Sequence, residues 1–308
     1  MKKYLLNLFL FIVLVLIVYP VLVFAWGKVL PGRYRKNLKY REASTGQLDL
    51  RLKDADTTKN IELLILGSSH AYRGYDPRIF KKEGINVFNL GSSAQTPIQT
   101  EVLFNKYLDQ FNPKYVLIDV YPALLGSNGV ESSLDLIANE CLDENFLKMF
   151  LKQKNIMVLN SAIYTTLDKT IKPSKTLQKA SGPDRYVAGG FTESFKRYRS
   201  KKTNEKRFNV EVSSIQMNAL MRIISNIKSK NLRYVLIQSP VTRMKYELVG
   251  NNVEMDNMLS KLGEYHNFNK VLSLNDKYFY DDHHLNQYGV EIFNEKLLST
   301  IDLNHLAR

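Results

Sequence analysis

The stretch IELLILGSSH, residues 61–70, runs apolar from Ile61 to Leu66 apart from Glu62, stops at Gly67, and passes directly into two serines and a histidine. Short apolar runs without polar alternation suit strands covered on both faces, as in a parallel sheet. The same pattern returns at 85–90, ending at Gly91, and at 115–121 (YVLIDVY). It appears again at 233–238 (RYVLIQ), closed by Ser239 and Pro240, and more weakly at 271–274. Between these runs lie helical patterns. In 210–229, Val212, Ile215, Ala219, Ile223 and Ile227 form one stripe, with Leu220 and Ile224 beside it. A second helix is predicted over 96–110. A third follows Asn286, a good N-cap before Val290, Phe293, Leu297 and Leu298. Strands alternating with helices predict right-handed βαβ units and a doubly wound α/β sheet.

Working outward, 125–208 is too long for one crossover and reads as a mostly helical insertion. Gly182-Pro183 and Gly189-Gly190 mark turns inside it. Its end is basic, with Lys196, Arg197, Arg199, Lys201, Lys202, Lys206 and Arg207 against Glu193 and Glu205. That run reads either as a solvated loop or as a surface for anionic headgroups or an acidic polymer. Residues 27–60 are polar and basic without a strong period and read as a stalk, leaving 61–303 as the folded domain.

At the other end, Lys2 and Lys3 precede an apolar run over 4–26 broken only by Asn7 and Pro20. At about 1.5 Å per residue it can cross a hydrocarbon core of about 30 Å. Tyr4, Tyr19 and Trp26 suit an interfacial belt. A cleaved signal peptide is the rival reading, but its apolar region runs only about 7–15 residues. Residues 1–26 are therefore read as an uncleaved signal anchor of a single-pass membrane protein. Counted plainly, the cations after the run (Lys28, Arg33, Arg35, Lys36, Lys39 and Arg41) would put the domain in the cytoplasm. A polymer substrate argues for the extracytoplasmic side.

The net charge of +13 favours polyanionic neighbours. A membrane anchor without a recognition motif makes nucleic acid a poor partner, and none is expected. A single cysteine, Cys141, rules out an internal disulfide and any multi-cysteine metal site, and reads as a packing residue.

In a doubly wound sheet, chemistry collects at the carboxyl ends of the strands. There lie Gly67-Ser68-Ser69-His70, then Gly91-Ser92-Ser93, then Asp119-Val120-Tyr121, and after the fifth run Asp281-Asp282-His283-His284-Leu285-Asn286. A serine nucleophile needs a base, and the base needs a partner that fixes its tautomer. Asp281 and His284, three apart, can meet across one turn, and His284 can reach Ser69 if that turn faces the first strand end. Ser68 competes for the nucleophile and His283 for the base. A metal site from Asp281 to His284 is not adopted, because adjacent side chains point apart.

GSSH at 67–70, the glycine at 91 and DxxHLNxxG from Asp281 to Gly289 together resemble the SGNH (GDSL-type) hydrolase superfamily. The nearest likeness is its membrane-anchored cell-envelope branch, which includes proteins similar to the alginate O-acetylation factors and the D-alanyl transfer protein DltD. The resemblance covers about 60–125 and 230–300 and leaves the insertion unmatched. It implies a three-layer α/β/α sandwich, flavodoxin-like in its central parallel sheet. It also implies Ser69 as nucleophile, His284 as base, Asp281 as orienting acid, and an oxyanion hole from the Ser69 and Gly91 N–H groups. The superfamily's third block supplies an Asn, whereas this chain has none there until Asn128, so Tyr121 or Gln95 is expected to substitute. His70 and Asn286 are expected to contact substrate. No cofactor and no metal are implied. The expected activity is ester hydrolysis or O-acyl transfer on an envelope polysaccharide or related polymer, with a multi-spanning O-acyltransferase as possible acyl donor. A non-catalytic glycan-binding or scaffold protein is the alternative.

Overall fold

The computed structural model describes residues 1–39, 45–139, 142–171, 184–199, 206–303 and 306. Five parallel strands form the central sheet in the order β2-β1-β3-β6-β7. They are β1 (Leu63–Leu66), β2 (Val87–Asn89), β3 (Tyr115–Asp119), β6 (Arg233–Gln238) and β7 (Tyr265–Asn267). Leu63 pairs in register with Val87 on one side and Tyr115 on the other. The chain therefore steps outward from β1 to β2 and then returns past β1 to β3. That reversal opens a crevice beyond the carboxyl ends of β1 and β3, where an open α/β sheet places its site.

The strands are apolar on both faces because both are covered. Leu64, Leu66, Val116, Ile118 and Leu236 face one core. Helices α4 (Pro97–Phe111) and α8 (Ser214–Ser229) pack there, α8 through the stripe Ala219, Leu220, Ile223, Ile224 and Ile227. Leu63, Ile65, Leu117, Val235 and Ile237 face the other core, with Phe293 and Leu297 of α9 (Gln287–Thr300). The molecule is thus a three-layer α/β/α sandwich. Asn286 caps α9 as expected, its side chain accepting from the Gly289 N–H at 3.1 Å.

Two expectations need correction. The fifth strand is 265–267, not 271–274. Val271 ends a one-turn helix, Phe268–Val271, and Leu272 and Leu274 pack on the core without joining the ladder. The segment 27–60 is not merely a stalk. It carries α2 (Leu48–Thr57), whose Leu48, Leu52 and Ala55 enter the core at helical spacing. The insertion contributes α5 (Val130–Ala138), α6 (Glu144–Gln153) and α7 (Ile156–Ile171). It also holds an antiparallel hairpin, β4 (Arg185–Val187) and β5 (Phe191–Glu193), turning at Gly189 and Gly190. The hairpin is anchored by Arg51 of α2. This fully buried guanidinium donates to the Gly190 carbonyl at 2.8 Å and lies 4.3 Å from the Tyr72 ring. Cys141, the Gly182-Pro183 turn, Lys201 and Lys202 lie outside the described residues.

Helix α1 (Lys2–Val29) is long and apolar enough to be a signal anchor or a membrane span. Its first part is exposed on all sides, and its last turns pack on α7. There Phe24 lies 5.7 Å from the Tyr164 ring and Lys28 pairs with Asp168.

Candidate active site

Strand β1 delivers its chain to the crevice through Gly67, at φ +152°. A Cβ there would come within 2.8 Å of the Asp119 carbonyl and 2.9 Å of Ala71. A side chain would thus push β1 away from β3 at the point where the site forms. Helix α3 (Ser69–Gly74) starts immediately after, and the two serines diverge. Ser68 is buried as the N-cap. Its hydroxyl accepts from the His70 N–H at 3.4 Å and lies 3.3 Å from His70 Nδ1. Ser69, half-buried, turns its Oγ to 2.8 Å from His284 Nε2.

The opposite wall is the loop between Tyr278 and Asn286. It is pinched into a hairpin by the Tyr280 N–H to the His284 carbonyl and the Asn286 N–H to the Tyr278 carbonyl, both 3.0 Å. At its tip Asp281 Oδ1 accepts from the backbone N–H groups of His283 and His284 at 2.9 and 2.8 Å. The same carboxylate lies 2.9 Å (Oδ1) and 3.0 Å (Oδ2) from His284 Nδ1. Burial works against the charged carboxylate, but the His284 contact and the two backbone donors outweigh it and hold the carboxyl well below its ordinary range. Ser69, His284 and Asp281 therefore form one connected chain of hydrogen bonds from two distant segments.

The His284 ring lies between two others. Tyr280 stacks on it at 5.4 Å with planes 8° apart, and His70 lies 5.3 Å away at 26°. His70 is buried and also touches the Tyr121 ring at 4.4 Å. Burial and the neighbouring His284 push the His70 imidazole well below its ordinary pKa, so a neutral ring supports His284. His283 points to Tyr121 at 5.9 Å, edge-on, rather than to Ser69.

Other expected residues have different work. Gly91 cannot offer a free N–H, because Asn89 Oδ1 accepts it at 2.9 Å. Its missing side chain instead lets the loop close on α3, where a Cβ would meet the Ser68 carbonyl at 2.5 Å. Gln95 is buried, with one N–H of its side-chain amide donating to Thr100 at 2.9 Å. Asn286 is buried and, beyond capping α9, donates to the carbonyls of Lys277 at 2.7 Å and Phe279 at 3.1 Å, so it holds the loop rather than a ligand. His70 packs its buried ring against that of the base. Of the expected oxyanion donors, the Ser69 N–H makes no hydrogen bond to another described residue. Tyr121 is half-buried at the mouth with its ring against His70 and His283.

Several supporting residues escaped the sequence reading. The tail of the insertion braces the loop: Tyr198 donates to Asp282 at 2.7 Å, the Arg199 N–H to the Tyr280 carbonyl at 3.2 Å, and the Gln287 N–H to the Ser194 carbonyl at 2.8 Å. Arg73 pairs with Asp184 at 3.1 Å while its guanidinium lies 5.3 Å from the Tyr280 ring. No local pattern announces these contacts, since the partners are far apart in sequence.

No protein-family model and no curated protein matches the chain. Among solved structures, one from Bacteroides fragilis, provisionally described as an acylhydrolase, is 12% identical with a TM-score of 0.42. It covers 85% of this chain and 97% of its own. A GDSL-like lipase from Bacteroides thetaiotaomicron is 11% identical with a TM-score of 0.38, covering 82% and 98%. Similarity this distant assigns no residue, so the site has to be read from its own geometry.

Proposed function

We propose that the chain is a membrane-anchored SGNH-type serine ester hydrolase or O-acyltransferase acting on a cell-envelope polysaccharide or related polymer. The observation that carries this reading is the run Ser69 Oγ, His284 Nε2, His284 Nδ1, Asp281, with steps of 2.8 and 2.9 Å. As Ser69 Oγ bonds to the ester carbonyl carbon, His284 takes its proton. Asp281, ionised, holds the imidazole with Nε2 as acceptor and stabilises the imidazolium. His284 then protonates the leaving oxygen, the ester C–O bond breaks, and acyl-Ser69 remains. Water or an acceptor hydroxyl attacks it by the same steps reversed. The oxyanion is assigned to the Ser69 N–H and the Tyr121 hydroxyl. The half-buried, open position of Ser69 suits a polymer hydroxyl or ester better than an enclosed small ligand. The apolar α1 supports anchoring, and anchoring favours transfer from a multi-spanning acyltransferase partner outside the cytoplasm. Protease accessibility of the domain in intact cells tests that side.

A second reading, a non-catalytic glycan-binding or scaffold protein, is favoured by one observation: Asn89 already occupies the Gly91 N–H, one of the expected oxyanion donors. One lost donor costs about 10²–10³ in rate. The Ser69→Ala variant separates the readings. On the first, hydrolysis of p-nitrophenyl acetate and labelling by a fluorophosphonate disappear. Equal turnover in wild type and variant eliminates Ser69 as nucleophile. A wild-type protein that resists the probe yet binds polymer establishes the second.

A further inference from the structure

We infer that the corner between α6 and α7 enters the bilayer beside α1 and holds lipid acyl chains in the groove between them; the inference rests on reading α1 as a membrane span. Helices α1 and α7 run in the same direction, since Tyr19 bonds to Asn160 while Lys28 bonds to Asp168. The α6–α7 corner therefore points back along α1, toward its exposed part. That exposed part has a limited length. From Tyr4 to Val18, before the first hydrogen bond to α7, it measures about 22 Å at about 1.5 Å per residue, short of a hydrocarbon core of about 30 Å. The missing length, about 8 Å, has to come from the stretch where α1 lies against α7, and the corner is carried in with it.

The surface at that level fits hydrocarbon. A groove of about 630 Å³ opens between Pro20 of α1 and the two helices, lined mainly by apolar side chains such as Phe146, Leu147, Phe150 and Ile163, with Asp143 and Glu144 at the start of α6. Helix α6 buries Phe146 and Met149 against the domain yet leaves Leu147 and Leu151 56% and 58% exposed. Ile156, the first residue of α7, is 49% exposed. Single exposed leucines are ordinary in water, but a cluster continuous with a membrane helix marks a lipid surface. Of the cations beside them, Lys148 pairs with Glu144 at 2.6 Å and Lys152 with Glu101 at 3.4 Å, so their charges are met on the protein. Because Pro20 is one wall of the groove, its occupant is the leaflet in which α1 itself sits, rather than a separate protein.

The test uses the full chain in liposomes whose lipids carry bromine on the acyl chains. Trp26 is the only tryptophan and reports α1 without modification. A nitrobenzoxadiazole probe on Leu151→Cys, and in a second protein on Leu147→Cys, both with Cys141→Ser, reports the corner. The same probe on Ser299→Cys of α9, on the opposite face of the sheet, is the control. The expected result is quenching of Trp26 and of both corner probes by comparable factors, with a blue shift at the corner and no quenching at 299. Quenched Trp26 with corner probes that behave like 299 overturns the inference and leaves the anchor intact. Unquenched Trp26 overturns the anchor reading, and the inference with it.

Discussion

Replacing Asp281 with Asn changes one atom, and the local hydrogen bonds dictate its position. Oδ1 accepts from two backbone N–H groups, those of His283 and His284. An amide nitrogen cannot take that place without facing two donors, so the Asn oxygen stays there and the NH₂ falls at the Oδ2 position, 3.0 Å from His284 Nδ1. Nδ1 must then accept, and the imidazole proton moves to Nε2. That nitrogen, 2.8 Å from Ser69 Oγ, now donates to the hydroxyl instead of accepting its proton. On the proposed mechanism the variant loses the base and the stabilising charge at once. Exchanging a triad acid for its amide lowers kcat by about 10⁴, or about 5 kcal/mol in barrier. The assay is kcat for p-nitrophenyl acetate, with the rate of fluorophosphonate labelling followed in parallel. Thermal unfolding by circular dichroism should change little, because both backbone N–H groups keep an acceptor. A fall of less than tenfold in kcat with the fold intact would refute the claim that Asp281 sets the tautomer.

Ser68→Ala should retain kcat within a few-fold while lowering stability by about 1 kcal/mol, the usual value of an N-cap side chain; a denaturation midpoint and a rate decide it. Tyr280→Leu removes the ring stacked on His284, and stacking of this kind contributes about 1 kcal/mol. A fall in kcat of about fivefold with KM unchanged is expected, and an unchanged kcat removes Tyr280 from the site. Burial raises the Asp119 carboxyl from 3.8 to about 6, despite the hydrogen bonds from Ser239 and Tyr75. Its contribution is complete below the unfolded value and is lost as pH rises through the folded one. Ionising it costs about 3 kcal/mol by pH 8. Asp119→Asn should therefore flatten the fall in stability between pH 4 and about 6, measured by urea denaturation. A slope equal to that of the wild type counts against this assignment.

The central strands were legible because parallel strands buried on two faces must be apolar along their middle, and 63–66, 115–118 and 234–237 are. The edge strand 265–267, Tyr-His-Asn, was not: it is three residues long and pairs on one side only, so nothing demands apolar side chains. The run 271–274 misled for the opposite reason, since apolar residues can pack on a core without a ladder. Helix α2 was readable in principle from Leu48, Leu52 and Ala55, but the charges of its flanks hid the stripe. At the site, Asp281 and His284 were legible because three-residue spacing is a local geometry. The occupied Gly91 N–H was not, because a side chain two residues away captures it.

The insertion draws the two ends of the argument together. One part, α7, packs on α1 through Tyr164 and Asp168. Another part, 194–199, holds the Asp281–His284 loop through Tyr198, Arg199 and Ser194. A sheet with a triad at its crevice needs neither contact to hydrolyse a small soluble ester. Both become useful when the ester or its acceptor is bound to the envelope, because the base then has to stay aligned while the domain is held near the membrane surface. On the proposed function, the residues that the sandwich alone does not require serve a tethered substrate rather than a freely diffusing one.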